Sequence, residues 1–236
     1  MKVEIWSDVV CPWCYIGKRR FEAALGRFAH RDDVSVVWRS FELDPSAPTR
    51  RTGDSAERLA TKHGMSRAQA VASQDRLTQM AAQEGLAFHF DQAQSGNTFD
   101  AHRLLHLAAE RGLQDEVKER LFRAYFSEGE PIGERETLVR LAAEVGLSEA
   151  EADAVLGSDA YTAEVREEEH EATQLGINGV PFFVLDRRYG VSGAQPADVL
   201  LQALERAWAD AHPTLLLTPA GVGASDATCT DESCAI

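Results

Sequence analysis

The sequence predicts an α/β fold in which a small β-sheet is interrupted by a long all-helical segment. Three observations predict it. A short apolar strand, Lys2 to Trp6, runs through Ser7-Asp8-Val9-Val10 into Cys11-Pro12-Trp13-Cys14 and then directly into an amphipathic helix. From about residue 54 to 175 no strand pattern occurs, and apolar residues recur at helical spacing in separate blocks. A buried-strand pattern returns at Phe182, followed by one more helix.

The elements follow in order. Trp13, Ile16, Phe21, Ala24, Leu25 and Phe28 recur every three to four residues, so a helix is predicted from Pro12 to about Ala29. Val34 to Leu43 reads as a second strand, broken by Asp44-Pro45-Ser46-Ala47-Pro48. Strand, helix, strand in that order makes the two strands parallel. Helical blocks are predicted at Ser66 to Glu84, Phe99 to Glu110, Gln114 to Phe126, Arg135 to Val145 and Ser148 to Leu156. Glycines punctuate them, and Ser148-Glu149-Ala150-Glu151 is a capping-box pattern. A longer helix from near Tyr161 stops at Gly176. The sheet resumes at Phe182 and continues through Tyr189-Gly190-Val191, and a last helix runs from Pro196 to about His212.

The chemistry is concentrated at Cys11 and Cys14. Residues i and i+3 on a helix have Cα atoms about 5 Å apart, within the roughly 4.4–6.8 Å that a disulfide needs. Cys-x-x-Cys at a strand-to-helix junction is the layout of a thiol–disulfide redox centre. Cys11 at an exposed helix start faces unpaired N–H groups and the positive end of the dipole, which favour its thiolate. Pro12 fits the first turn, where a missing N–H is no loss. The same spacing also suits half of a zinc site, which needs two further ligands, or an inert structural pair. Far downstream, Ile177 to Asp186 reads as a loop entering a buried strand that Pro181 opens. Beside the cysteines a cis Val180-Pro181 bond is expected, leaving the backbone of Val180 free to pair with an extended substrate. A trans proline starting an edge strand is the plainer alternative.

Asp8, three residues before Cys11, is placed to tune a thiol or accept its proton, or merely to turn the strand end. Trp13, Phe182 and Phe183 are candidates for an apolar platform around the sulfurs, and Trp38 and Trp208 are assigned to packing. His102, His106 and Glu110 share one helix face at metal-ligand spacing, although half-buried histidines are the commoner outcome and no metal is expected. Asn97-Thr98 would cap the same helix. Lys18-Arg19-Arg20 and Arg50-Arg51 read as solvated surface, the first run with the potential to make the rim of the motif positive. Arg166 to Glu171 reads as the wet face of a helix.

These residues together resemble the DsbA family of thioredoxin-fold oxidoreductases, and within it the cytoplasmic FrnE-like branch. The matching blocks are Ser7-Asp8-Val9-Val10-Cys11-Pro12-Trp13-Cys14-Tyr15-Ile16-Gly17, Asn97-Thr98-Phe99-Asp100-Ala101-His102-Arg103-Leu104 and Gly176-Ile177-Asn178-Gly179-Val180-Pro181-Phe182-Phe183-Val184. The likeness covers about residues 1 to 212. It implies a thioredoxin fold (DsbA-like) with a large helical insertion between its halves: residues 1–50 and 176–212 thioredoxin-like and 51–175 the insertion. Residues 213–236, expected to be a flexible cysteine-bearing tail, depart from the plain family pattern. It implies a nucleophilic Cys11, a resolving Cys14, a cis Val180-Pro181 bond, and substrate contacts from Pro12, Trp13, Val180 and Pro181, with Asn97 and His102 near the cleft. A sister branch holds glutathione-dependent 2-hydroxychromene-2-carboxylate isomerases and kappa-class glutathione transferases, which typically carry serine in place of Cys11. Both cysteines being present favours redox exchange on protein disulfides. Glutathione stays open as a substrate or partner, no other cofactor is required, and a homodimer is left open.

Composition bounds the partners. A net charge of −14 argues against general nucleic-acid binding, which needs a basic face. The N-terminus enters a strand within two residues and lacks an apolar signal-peptide core, and no stretch is long enough to span a bilayer, so a cytoplasmic protein is expected. There disulfides are usually transient or catalytic. The tail carries the other two of the four cysteines, Cys229 and Cys234. Five residues apart on a helix, they would sit about 8.6 Å apart, beyond the roughly 7 Å limit for a bond, so pairing requires a bent loop. They are expected to act as an auxiliary redox pair exchanging with Cys11. Asp231 and Glu232 between them raise the local thiol pKa values and make the Cys11 side the attacker. A frayed terminus with two incidental thiols is the plainer alternative, and four thiolates gathering a soft metal ion is another.

Overall fold

The protein is described by a computed structural model over residues 1–51 and 53–213. Four strands form one mixed sheet in the order β2-β1-β3-β4. β1 (Lys2–Ser7) pairs in parallel with β2 (Ser35–Ser40), with Lys2 opposite Ser35 and Ser7 opposite Ser40. β3 (Phe182–Leu185) runs antiparallel to β1, with Phe182 opposite Trp6, and β4 (Tyr189–Ser192) closes the edge. The parallel β1–β2 pair follows from the helical crossover α1 (Pro12–Arg27) between them.

Strand alternation assigns the two faces. Val3 and Ile5 of β1 and Phe183 and Leu185 of β3 point to one side. There they pack on Phe21, Ala24 and Phe28 of α1 and on Leu200, Leu204 and Ala207 of the last helix, α9 (Ala197–Ala211). Trp6 and Val184 point the other way and meet Ala172 and Ile177. Phe183 stacks on Phe21 at 5.5 Å within the first layer, and Phe182 lies among the partly buried side chains of the second. Both are therefore strand core, and the expected platform around the sulfurs reduces to Trp13.

Between β2 and β3 the chain is helical: α2 (Ser55–His63), α3 (Arg67–Gln83), α4 (Phe99–Glu110), α5 (Gln114–Arg123), α6 (Arg135–Glu144), α7 (Glu149–Leu156) and α8 (Thr162–Gln174). α2 lies outside the predicted blocks. Only Ala56, Leu59 and Ala60 give it an apolar side, too few to show a period, yet Asp54 caps its first turn through Ala56 N–H at 2.9 Å and Gly64 ends it at φ 63°. The complete capping box is at Ser66 and Gln69 before α3. At Ser148 the serine accepts from Glu151 N–H at 3.4 Å while the Glu151 carboxylate pairs with Arg111 instead. α5 continues through a π-helical turn, Ala124–Glu128, ended by Gly129.

The insertion has its own core of Leu104, Leu121, Phe122, Leu138 and Leu141, and this core is continuous with Val9, Cys11, Cys14, Tyr15 and Ile16. Tyr15 stacks on Phe122 at 4.8 Å. The basic run on α1 reinforces the junction rather than facing water. Lys18 is 3% exposed and meets Glu22, Asp115 and Glu119. Arg19 pairs with Glu119, and Arg20 with Glu84 at 2.6 Å. Being spent on these carboxylates, the run does not make the rim of the cysteine motif positive. Arg50 and Arg51 are likewise paired, with Glu134 and Asp44. The Arg166–Glu171 run is also not uniformly wet: Glu168 turns inward, because Arg39, Ser40 N–H and His106 all wait for it under α8.

Candidate active site

Cys11 is the residue before the first turn of α1, in an extended conformation, with Pro12 opening the helix. Its carbonyl accepts the N–H of Cys14 at 3.0 Å and of Tyr15 at 3.4 Å, which winds the first turn and brings the two free thiols together. The helix start is not exposed, contrary to expectation. Cys11 is 4% and Cys14 0% exposed, while Trp13 between them is 39% exposed. The physical reason is the loop before β3, which packs over the motif. The Cys11 thiol donates to the Val180 carbonyl at 3.4 Å, and the Val180-Pro181 bond is cis. Pro181 in turn rests on Gly17, where any Cβ would come within 2.9 Å of its ring. The Val180 carbonyl is thus engaged in the dithiol form, while the Val180 N–H donates to no acceptor among the described residues.

The electrostatics around Cys11 also differ from the simple helix-start picture. The neighbouring Cys14 thiol, burial and the Asp8 carboxylate push the Cys11 thiol well above its ordinary range, against the pull of the Cys14 backbone N–H. Two adjacent buried sulfurs share room for one negative charge, and the second ionisation is opposed by the first.

Asp8 is completely buried beneath the motif, and its carbonyl accepts the Cys11 N–H at 3.1 Å. Its carboxylate accepts Leu43 N–H at 2.7 Å and lies 3.6 Å from His102 Nε2, beyond a hydrogen bond but close for an ion pair. Burial raises its pKa; His102, the Leu43 N–H and Lys118 outweigh burial and hold it below the usual carboxylate range. Near neutrality Asp8 is therefore a fixed negative charge, better suited to tuning than to accepting a proton. Asp8 Oδ1, Ser7 Oγ, Glu42 Oε1 and both ring nitrogens of His102 are buried without a hydrogen-bond partner among the described residues.

Lys118 is the site residue that sequence reasoning missed. It is 0% exposed, on the inner face of α5, and donates to Ser7 O at 3.2 Å. Its ammonium sits 5.1 Å from the ring of Phe122 and 5.4 Å from that of Trp38. A signal existed: Lys118 falls on the apolar stripe of its helix with Val117, Leu121 and Phe122, where a lysine is out of place. Beside the motif a cleft of about 230 Å³ opens between Asp8, Val10 and Pro12 on one side and Leu77, Phe90 and Tyr125 on the other.

A model of the family described as DSBA-like thioredoxin domain matches residues 2–205. The chain belongs to this DSBA-like thioredoxin family. The crystal structure of probable DsbA oxidoreductase SCO1869 from Streptomyces coelicolor is 51% identical and superposes with a TM-score of 0.86, covering 93% of this chain and 94% of that one. The uncharacterized protein YwbO of Bacillus subtilis (strain 168) is 30% identical over 206 residues, 86% of this chain and 94% of its own length. Cytosolic disulfide reductase DsbM from Pseudomonas aeruginosa, solved with GSH, shares the fold at 23% identity and a TM-score of 0.62, covering 88% of this chain and 99% of its own.

In this DSBA-like chain the remaining candidates lie as follows. Pro12 borders the cleft, and Trp13 is its exposed neighbour. His102 faces Asp8. Asn97 is turned to the backbone: it accepts Phe99 N–H at 2.9 Å and donates to Pro45 O at 3.3 Å, so it caps α4 and pins the loop after β2. Thr98 makes no side-chain cap. His102, His106 and Glu110 do not converge, since His106 turns to Glu168 at 3.2 Å and Glu110 is exposed. Among the described residues no group of three or more His, Cys, Asp or Glu is placed to hold a metal ion. Trp38 and Trp208 are packing residues, as expected. Cys229 and Cys234 lie outside the described residues.

Proposed function

We propose that this chain is a thiol–disulfide oxidoreductase acting on protein disulfides. What carries the proposal is the placement of Cys11 and Cys14 as adjacent free thiols at the start of α1, with the Cys11 sulfur 3.4 Å from the Val180 carbonyl. Cys11 as thiolate attacks one sulfur of a substrate disulfide, and the other leaves as a thiolate that takes up a proton. Cys14 then loses its proton and attacks the Cys11 sulfur. The second substrate thiol leaves and an intramolecular disulfide remains, two electrons having passed to the substrate. Oxidation runs the same steps backward.

A polypeptide substrate suits the surroundings. The cleft of about 230 Å³ is smaller than the roughly 300 Å³ and more of a site for a drug-sized ligand, and fits side chains of a segment lying across exposed Trp13. The N–H of Val180, unpaired among the described residues, offers such a segment one backbone hydrogen bond. Glutathione is proposed as the small thiol partner, with DsbM and its GSH as the precedent in this fold. By the same precedent we assign the reaction to the cytoplasm, where such a pair reduces or isomerises.

The test is a pair of variants. Cys11→Ser should abolish exchange, and Cys14→Ser should accumulate mixed disulfides visible by mass spectrometry. Exchange that survives Cys11→Ser refutes the mechanism. A glutathione-dependent isomerase or transferase, the activity class of the fold relative 2-hydroxychromene-2-carboxylate isomerase, would instead give saturable glutathione binding and turnover of an aromatic acid.

A further inference from the structure

Lys118 is a fully buried ammonium without a counter-ion in contact. Among the described residues no carboxylate oxygen lies within ion-pair distance of its Nζ, and its hydrogen bond is to the neutral carbonyl of Ser7. Such a group is expensive to bury unless something nearby carries the opposite charge. The backbone places that something. Ser7 lies four residues before Cys11, and Phe122, on whose ring Lys118 sits, stacks on Tyr15, the residue after Cys14. The ionisable groups that act on Lys118 are Cys14 and Cys11 of α1, Asp8 of the connection into α1, and Glu168 of α8. Glu168 is already committed to Arg39 and His106, and Asp8 to Leu43 N–H and His102. On α5 itself Asp115 and Glu119 face Lys18 and Arg19. The sulfurs are left as the charge for Lys118 to balance.

We propose that Lys118, supplied by the helical insertion, is a positioning residue whose proton is linked to the redox state of the Cys11/Cys14 pair. This rests on the oxidoreductase reading. In the reduced form the Lys118 ammonium favours the single thiolate the pair can hold, against the burial and the Asp8 charge that oppose it. In the disulfide form that negative charge is gone, and burial is opposed only by the Asp8 and Glu168 carboxylates. The balance is complete: a disulfide with neutral Lys118 takes two electrons from a thiol reductant and two protons. It gives one thiol, one thiolate and one ammonium, so one of the two protons resides on nitrogen. Burial draws the Lys118 pKa down to about 8 against the pull of Cys14, Asp8, Cys11 and Glu168. This is close enough to neutrality for the proton to move.

The experiment needs no mutation at first. The Lys118 side chain is followed by NMR through a pH titration of the full chain, once as the dithiol and once as the Cys11–Cys14 disulfide formed in glutathione buffer. The expected result is a midpoint higher in the dithiol by about one to three pH units, the range for an opposite charge at close quarters. Lys118→Met should then lower the thiolate fraction at least tenfold at fixed pH. It should also lower the reduction potential by about 30 mV per tenfold of thiolate stabilisation lost, while Lys118→Arg retains both. Equal midpoints in the two redox forms overturn the proposal and leave the oxidoreductase reading standing. A chain that forms no reversible disulfide overturns both.

Discussion

Glu168→Gln tests whether the charge network under α8 holds the sheet and the insertion together. Glu168 accepts Arg39 Nη1 and Ser40 N–H, each at 2.7 Å, and faces His106 Nε2 at 3.2 Å, with its own side chain 8% exposed. Burial raises its pKa, but His106, Arg39 and the Ser40 N–H reverse this and take it from an ordinary 4.5 to about 2. At 1.36 kcal/mol per pH unit that difference corresponds to about 3 kcal/mol of stability. The sign follows from the depressed value: the folded chain holds the carboxylate charged, so the contribution is complete above about pH 5 and fades as pH falls from 4.5 toward 2. Glutamine keeps the shape and an acceptor for Ser40 but not the charge. Urea unfolding at pH 7 should therefore place Glu168→Gln about 3 kcal/mol below the wild type, a fall in Tm of roughly 6–12 °C for a chain of this size. At pH 3 more than half of the gap should have closed, because the wild type has by then lost most of the advantage. A gap below 1 kcal/mol at pH 7, or one that stays constant down to pH 3, would show that Glu168 acts through packing rather than charge.

Two further outcomes follow from close contacts. Gly17→Ala places a methyl group 2.9 Å from the Pro181 ring, which cannot swing aside; a loss of about 1–3 kcal/mol is expected, together with altered alkylation of Cys11 as the Val180-Pro181 loop shifts, and unchanged stability and alkylation would contradict the contact. Arg103 is buried and donates to Ala160 O, Asp100, Val155 O and Ser158 O, so Arg103→Lys, which cannot span them, should lower stability by roughly 2–4 kcal/mol in thermal unfolding; a loss under 1 kcal/mol would mean the carbonyls find other partners.

The parts of this chain that could be read in advance are those written in local pattern. Cys-x-x-Cys between a strand and a helix, the parallel β1–β2 pair and the helical run after β2 each depend on spacing within a short window. The bounds of α4 needed only its apolar period. α2 escaped because its signal lies in Asp54 and Gly64 rather than in periodicity. Most of the remaining errors concern charge. Lys18, Arg20 and Glu168 looked like solvated residues because their partners, Asp115, Glu84 and Arg39, are far away in sequence. The depressed pKa of Asp8 and the elevated pKa of Cys11 depend on His102, Lys118 and Cys14 meeting in one buried place, and only the tertiary fold brings the first two there. Lys118 alone carried a warning in the sequence, a cation on an apolar stripe.

The distribution of those long-range partners gives the helical insertion a role beyond covering the sheet. Cys11 and Cys14 lie at the start of α1, whose basic run is bound to carboxylates of α5 and to Glu84 just after α3. Exposed pairs of this kind contribute little, about 0–1 kcal/mol each, but Lys18 is almost fully buried and holds three carboxylates at once. The junction is further filled by the Tyr15–Phe122 stack, so α5 is fixed against α1 by charge on one side and aromatic packing on the other. A junction held only for stability could have been entirely apolar, and often more stable for it. This one instead keeps a buried lysine on the Ser7 carbonyl, within the charge of Asp8 and the thiols. A rigid α1–α5 contact is what such a cluster requires, because the interaction between buried charges changes steeply over an ångström or two when the surroundings are poorly screened. If Lys118 is linked to the thiols as proposed, the ion pairs of Lys18 with Asp115 and Glu119 serve to hold α5 in place against α1.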